Sequence, residues 1–87
     1  MTNQEFKIKM LYDKYGCFVL DVRQLGTEIK LSCSGIYKIF SDFSEKQILE
    51  HKLLPTWKKV SGRRVWNISD VIEWLDETES VKHQNRP

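Results

Sequence analysis

Few residues in this 87-residue sequence could build a covalent or metal-bound framework, because it has only two cysteines and two histidines. Cys17 and Cys33 lie far apart in the sequence, and His51 and His83 are isolated, so the spacing of a zinc site is missing. A disulfide would require an oxidising compartment, for which the sequence carries no sign. We therefore predict two reduced thiols, no metal site and no cofactor.

Long apolar runs are also missing. No segment approaches the roughly 20 apolar residues that span a bilayer. The first residues, 1–7, lack the apolar stretch of a signal peptide. We therefore expect a cytoplasmic protein, and because an anionic bilayer would repel the acidic residues 67–87, we expect no membrane binding.

The residue patterns of catalysis are absent as well. We find no paired carboxylates beside a pocket-forming element, no nucleophile with a histidine partner and no glycine-rich phosphate loop. A chain of 10.4 kDa buries only about 60% of its surface on folding, which leaves little volume for a sequestered active site. The sequence predicts a binding module and not an enzyme.

Charge is unevenly distributed, although the formal net charge is only +2. Residues 1–50 hold equal numbers of basic and acidic side chains, whereas residues 67–87 are acidic. Residues 51–66, which we call the basic block, contain no acid and five cations: Lys52, Lys58, Lys59, Arg63 and Arg64. Such a block is typical of binding to a polyanion such as DNA, although a solvated surface hairpin would have the same composition.

Apolar spacing predicts helices in the first half of the chain. The first helix covers residues 3–15 as an N-terminal extension and stops at Gly16. A short β-prone run, 17–20, follows it. Asp21 and Gln24 have the spacing of a capping box, which predicts a second helix through residue 30.

Two further short helices follow a turn at residues 31–35. Ser34 is predicted to cap the third helix. Ser44 and Gln47 have capping-box spacing and predict a fourth helix through Lys52, ended by Pro55.

The apolar period changes to two between Trp57 and Ile68, which predicts a β-hairpin with its turn at residues 61–62. Ser69 is predicted to cap a closing helix. We expect residues 1–79 to form one domain, mainly α with a small β-hairpin and therefore of the α+β class, and residues 80–87 to form a disordered tail.

Residues 22–41 have the pattern of a helix-turn-helix. Their apolar residues supply a shared core, and Gly26 is small where the two helices approach one another, but Lys30 stands where the turn usually has glycine. A basic hairpin and a closing helix follow this pair in the sequence. This order predicts a winged helix-turn-helix, in which one helix enters the major groove and the hairpin reaches phosphates or the minor groove.

Two stretches resemble a known family. The segment 31–40, LSCSGIYKIF, is similar to the recognition helix of AlpA-type regulators and phage excisionases of the MerR-like superfamily. The segment 54–75 resembles their wing, with its proline, glycine turn, basic pair and closing SDVIEWL helix. The resemblance implies specific binding to duplex DNA of a phage or mobile element. It implies the role of an excisionase or a transcriptional regulator, with an integrase or RNA polymerase as protein partner and self-association on DNA.

A second resemblance concerns segments 10–16 and 42–46, which look similar to pyocin-activator-type proteins. If that alignment is the better one, the helix that carries Lys46, Gln47 and Glu50 shares or replaces the recognition role.

The predicted DNA-binding residues lie in two groups. The third helix supplies Ser32, Ser34, Tyr37, Lys38 and Ser41, and the hairpin supplies Lys58, Lys59, Arg63 and Arg64. Arg63, near the turn, is predicted to enter the minor groove, while the other three cations bind phosphates.

Two alternatives stay open at this point. Arg64 could instead stack on Trp66 or Trp57 as surface packing; Trp66 and Trp74 are predicted to be core residues, with Trp57 half-buried. The same winged scaffold could also bind a protein partner and not DNA.

Overall fold

The structure, a computed structural model, describes residues 3–84. In this range the chain folds into α1 (Asn3–Tyr15), β1 (Val19–Leu20), α2 (Val22–Ile29), α3 (Cys33–Asp42), α4 (Glu45–Glu50), β2 (Lys58–Val60), β3 (Arg63–Asn67) and α5 (Ile68–Gln84). The fold is mainly helical with a small antiparallel sheet, so the predicted α+β class is confirmed.

The sheet has the strand order β1-β3-β2. The predicted hairpin is present as β2 and β3, and its turn residues Ser61 and Gly62 have φ angles of 51° and 80°, the left-handed conformations of a tight two-residue turn. The short apolar run adds a third strand, because Leu20 pairs with Trp66 on the other side of β3. The hairpin is therefore attached to the start of α2 through β1.

Trp66 lies at the centre of the core with no exposed surface, as predicted, and its Nε1 donates a hydrogen bond to the carbonyl of Pro55 at 3.0 Å. Around it are Leu20, Leu25, Ile36, Ile48, Leu54, Ile68 and Val71, all buried. Trp57 is half-buried, as predicted. Trp74 is only half-buried, and not a core residue, because its Nε1 turns outward to donate to the carbonyl of Lys52 at 2.8 Å.

The turn between α2 and α3 is built around Gly26. The Leu31 amide donates to the Gly26 carbonyl at 3.0 Å, which brings the turn's backbone over this glycine. A Cβ added there would lie closer than 3.0 Å to the Leu31 carbonyl oxygen. Lys30 is the C-cap of α2 and adopts the left-handed conformation, with φ 62°, that glycine usually adopts at this position.

The N-cap of α3 is Ser32, and the prediction of Ser34 was wrong. Ser32 has extended backbone angles and its Oγ accepts a hydrogen bond from the Gly35 amide at 3.0 Å, while Ser34 lies inside the helix. The two predicted capping boxes, at Asp21 and Ser44, are confirmed.

Two other helix boundaries differ from the prediction. α4 ends at Glu50, before Lys52, which has a left-handed φ of 53°. α5 begins at Ile68, so Ser69 lies in its first turn and is not its cap. The Ile68 amide donates to the Phe18 carbonyl at 2.9 Å, so β3 passes into α5 without a loop.

α5 continues through Gln84, which places helix in the first part of the segment 80–87 for which we predicted a disordered tail. Residues 85–87 lie outside the described residues.

The N-terminal helix α1 is held at both ends. Near its start, Lys7 Nζ lies 2.8 Å from Asp76 Oδ1 of α5. Near its end, the Tyr15 hydroxyl donates to Glu28 Oε2 of α2, and Lys14 Nζ lies 2.9 Å from the same oxygen. Burial and this hydrogen bond raise the pKa of Tyr15. For Glu28, burial raises the pKa, but the hydrogen bonds from Lys14 and Tyr15 outweigh it and leave the pKa below its ordinary value.

The lowered pKa of Glu28 makes the attachment of α1 sensitive to acid. Because the folded-state pKa lies below the ordinary 4.5, the ionised group stabilises the fold above that pH and its contribution is lost as the pH falls through the folded-state value. We expect Glu28→Gln to lower the free energy of unfolding by about 1 kcal/mol at pH 7 and to remove part of its fall between pH 5 and pH 3. Urea unfolding at these pH values measures both effects, and equal losses on acidification in both proteins would contradict the assignment.

Candidate nucleic-acid interface

A groove of about 670 Å³ separates α3 from the β2–β3 hairpin. Its walls come from the start of α2, from the outer part of α3 and from the turn and β3 of the hairpin. The lining residues are Asp21, Val22, Arg23, Cys33, Tyr37, Phe40, Gly62, Arg63, Arg64, Val65 and Trp66. Three arginines and a tyrosine therefore meet in one concave surface.

The exposed face of α3 carries the side chains that the helical spacing placed there. Tyr37 is 55% exposed and contributes to the groove, and Ser34, Lys38 and Ser41 are exposed as well. Ile36, one residue before Tyr37, is fully buried and fixes the helix to the core. The hydroxyl of Ser32 accepts the cap hydrogen bond described above.

The hairpin presents its cations on two faces, because successive residues of a strand point to opposite sides. Lys59 and Arg64 are register partners on the face that carries Trp66. Lys58 and Arg63 lie on the other face and are exposed, and neither has an ion-pair partner in residues 3–78. These two cations are available to an anionic ligand.

The Arg64 side chain packs against Phe40 of α3. Its guanidinium carbon lies 3.9 Å from the centre of the Phe40 ring, and its side chain is 33% exposed. Phe40 in turn makes an edge contact with Trp57 at 5.0 Å between ring centres. The stacking alternative named Trp66 or Trp57 as partner; the arginine does stack, but on Phe40 of α3, which itself contacts both of these rings.

Acids from outside the basic block neutralise part of it. Glu45 Oε1 lies 3.7 Å from Lys59 Nζ and 3.7 Å from Arg64 Nη2, and Lys52 Nζ lies 2.6 Å from Glu77 Oε2. Counting charge along the sequence could not show this, because Glu45 and Glu77 are adjacent to the block only in the fold.

Arg23 was missed by the sequence analysis. It lies in the first turn of α2, is exposed and lines the same groove as Arg63 and Arg64. Its segment, residues 1–50, has no net charge, so charge counting passed over it. The helical period could have found it, because position 23 falls outside the apolar stripe of Val22, Leu25 and Ile29.

The helix that the second resemblance favoured, α4, contributes no residue to this groove. It has six residues, and the side chain of Gln47 accepts a hydrogen bond from the Ser44 amide at 2.9 Å in the capping box. Lys46 lies 3.9 Å from Glu50 in an exposed pair.

Within residues 3–78, no cluster of histidine, cysteine and acidic side chains could hold a metal ion. In the same range no helix is long and apolar enough to cross a membrane. Comparisons with family models, with curated proteins and with solved structures found no match to this chain.

Proposed function

We propose that this protein is a sequence-specific binder of duplex DNA that acts as a winged helix-turn-helix. α2 and α3 form the helix pair, α3 enters the major groove, and the β2–β3 hairpin is the wing, which contacts phosphates or the minor groove. The order of elements supports this proposal: β1 lies between α1 and α2, a short turn joins α2 to α3, and the hairpin that follows α4 pairs with β1 through its strand β3.

The observation that carries the proposal is that the exposed face of α3 and the hairpin line one groove. Tyr37 and Arg63 belong to elements that are separate in the sequence, yet both border the same concave surface. A duplex seated there would contact helix and wing together, which gives a binding surface larger than either element supplies alone.

The side chains on this surface favour phosphate contact over direct base reading. Arg63 and Lys58 are exposed cations without an ion-pair partner among residues 3–78, and such groups release counterions when they bind phosphates. The exposed face of α3 offers hydroxyls and one ammonium but no arginine, asparagine or glutamine that could bind a base in bidentate fashion. Specificity therefore relies in part on DNA shape.

The resemblance to AlpA-type regulators and excisionases extends the proposal to biology. On that basis the protein would direct recombination or regulate transcription in a phage or mobile element, together with an integrase or RNA polymerase.

Tyr37→Ala tests the placement of α3 in the major groove. We expect wild-type protein to bind labelled duplexes with an affinity that falls as salt rises, and the variant to change the ranking among sequences while the salt dependence stays within about one phosphate contact. Fluorescence anisotropy over a duplex library at several salt concentrations measures both. Failure of folded wild-type protein to bind any duplex at low salt would overturn the proposed function.

That failure would favour the second candidate, a protein-binding module. The observation behind it is that Phe6 and Met10, one helical turn apart on α1, are 57% and 55% exposed.

A further inference from the structure

Two cations of the wing converge on one acid of the same chain. Lys59 and Arg64 are opposite one another in the β2–β3 register, so their side chains leave the same face of the hairpin. Both reach the same carboxylate oxygen, Glu45 Oε1, at 3.7 Å. A pair of cations directed at one oxygen forms an anion site, and here the first residue of α4 occupies it.

The guanidinium of Arg64 has hydrogen-bonding capacity to spare. The guanidinium carbon lies 3.9 Å from the centre of the Phe40 ring; Nε is buried and closed to a ligand, which leaves the terminal nitrogens of this partly exposed side chain. The distance from Nη2 to Glu45 exceeds that of a hydrogen bond. An oxyanion that approaches more closely would gain hydrogen bonds that Glu45 does not make.

The ion pairs that hold the Glu45 carboxylate are weak. Its side chain is 51% exposed and that of Lys59 is 60% exposed, and exposed ion pairs at such distances contribute little to stability. A phosphate that displaces Glu45 therefore breaks only weak ion pairs, and what opposes its entry is the repulsion between its negative charge and that of the carboxylate.

We infer that Glu45 is a specificity-determining residue that occupies an anion site formed by Lys59 and Arg64 and so keeps duplex phosphates out of it. The inference rests on the proposed function. Its consequence is weaker binding to duplexes of arbitrary sequence, because two of the wing's cations are unavailable unless the DNA makes enough other contacts to displace the acid.

Glu45→Gln tests the inference, since glutamine keeps the shape and removes the charge. We expect the variant to bind a random-sequence duplex about five- to tenfold more tightly at 0.1 M salt, with a salt exponent larger by about one to two, because up to two phosphate contacts are gained. Circular dichroism and thermal unfolding verify that the variant folds.

Glu50→Gln is the matched control. It removes the same charge from the same helix, but its partner is Lys46 at 3.9 Å and not the wing. A larger gain for Glu45→Gln than for Glu50→Gln supports the inference. Equal changes in the two variants would overturn it while leaving DNA binding by the wild type intact.

If no variant binds duplex DNA, the proposed function fails and a separate measurement decides the anion site. Inorganic phosphate is titrated into wild type and Glu45→Gln, and the NMR signals of Lys59 and Arg64 are followed. Shifts that saturate in the variant at lower phosphate than in the wild type support the anion site. Identical responses, or none, would overturn it.

Discussion

Lys58→Ala/Arg63→Ala is expected to weaken binding to duplex DNA by roughly 10- to 60-fold at 0.1 M salt and to reduce the salt exponent by about two. The two cations are exposed on the same face of the hairpin, and neither has an ion-pair partner in residues 3–78. Each phosphate contact that is lost leaves its counterions condensed on the DNA. The loss of affinity therefore grows as the salt concentration is lowered. Anisotropy titrations at four or more salt concentrations give the exponent directly.

Arg64 is left unchanged in this test because its removal would also empty the space over Phe40. The control for total charge is Lys9→Ala/Lys46→Ala, which removes two exposed cations from α1 and α4. We expect it to change the exponent by much less than two. An equal loss in both double variants would mean that overall charge, and not the wing, determines the affinity.

Gly26→Ala is expected to lower the free energy of unfolding by about 1–3 kcal/mol, the usual cost of forcing an extra carbon into a packed interior. In most helices this substitution is favourable, since alanine is the better helix former. At this position the new Cβ would press on the Leu31 carbonyl, a backbone atom that cannot rotate away, and also contact Ile36 Cδ1 at 3.6 Å. The turn between α2 and α3 would have to move, and α3 with it.

Gly35→Ala is the control for this substitution. A Cβ at Gly35 would meet Ser32 Oγ at 3.4 Å and Leu31 Cδ2 at 4.0 Å, which are ordinary contacts. We expect this variant to be as stable as the wild type or more stable by up to about 1 kcal/mol. Urea unfolding of the three proteins separates the steric effect from helix propensity. A Gly26 variant that matches the wild type would show that the turn adjusts freely.

Local features of the fold could be predicted from the sequence. The capping boxes at Asp21 and Ser44 and the hairpin turn at Gly62 depend on residues within four positions of one another, so spacing alone identifies them. The cap of α3 was misplaced because Ser32 and Ser34 both satisfy the same composition rule. Only the backbone angles, extended at Ser32, decide between them.

Less of the candidate site could be predicted from the sequence, because its ion pairs and stacking contacts join segments that are distant in the chain. The stacking of Arg64 on Phe40 and the ion pairs of Glu45 join residues that no periodicity relates. The exposed face of α3, in contrast, could be predicted, because the helical spacing that buries Ile36 places Tyr37 on the solvent side. Sequence patterns thus identified α3 and the hairpin as elements that border the groove, but neither the contribution of α2 nor the cations that lack an ion-pair partner.

The direct passage from β3 into α5 has a mechanical consequence. Asn67 is the last residue of the strand and Ile68 the first of the helix, and the Ile68 amide is bonded to the Phe18 carbonyl. With no linker at this junction, the hairpin cannot swing as an independent arm and moves with the helix and core as one body. Its conformational entropy is lost when the chain folds and not when a ligand arrives, so binding at its tip carries a small ordering penalty.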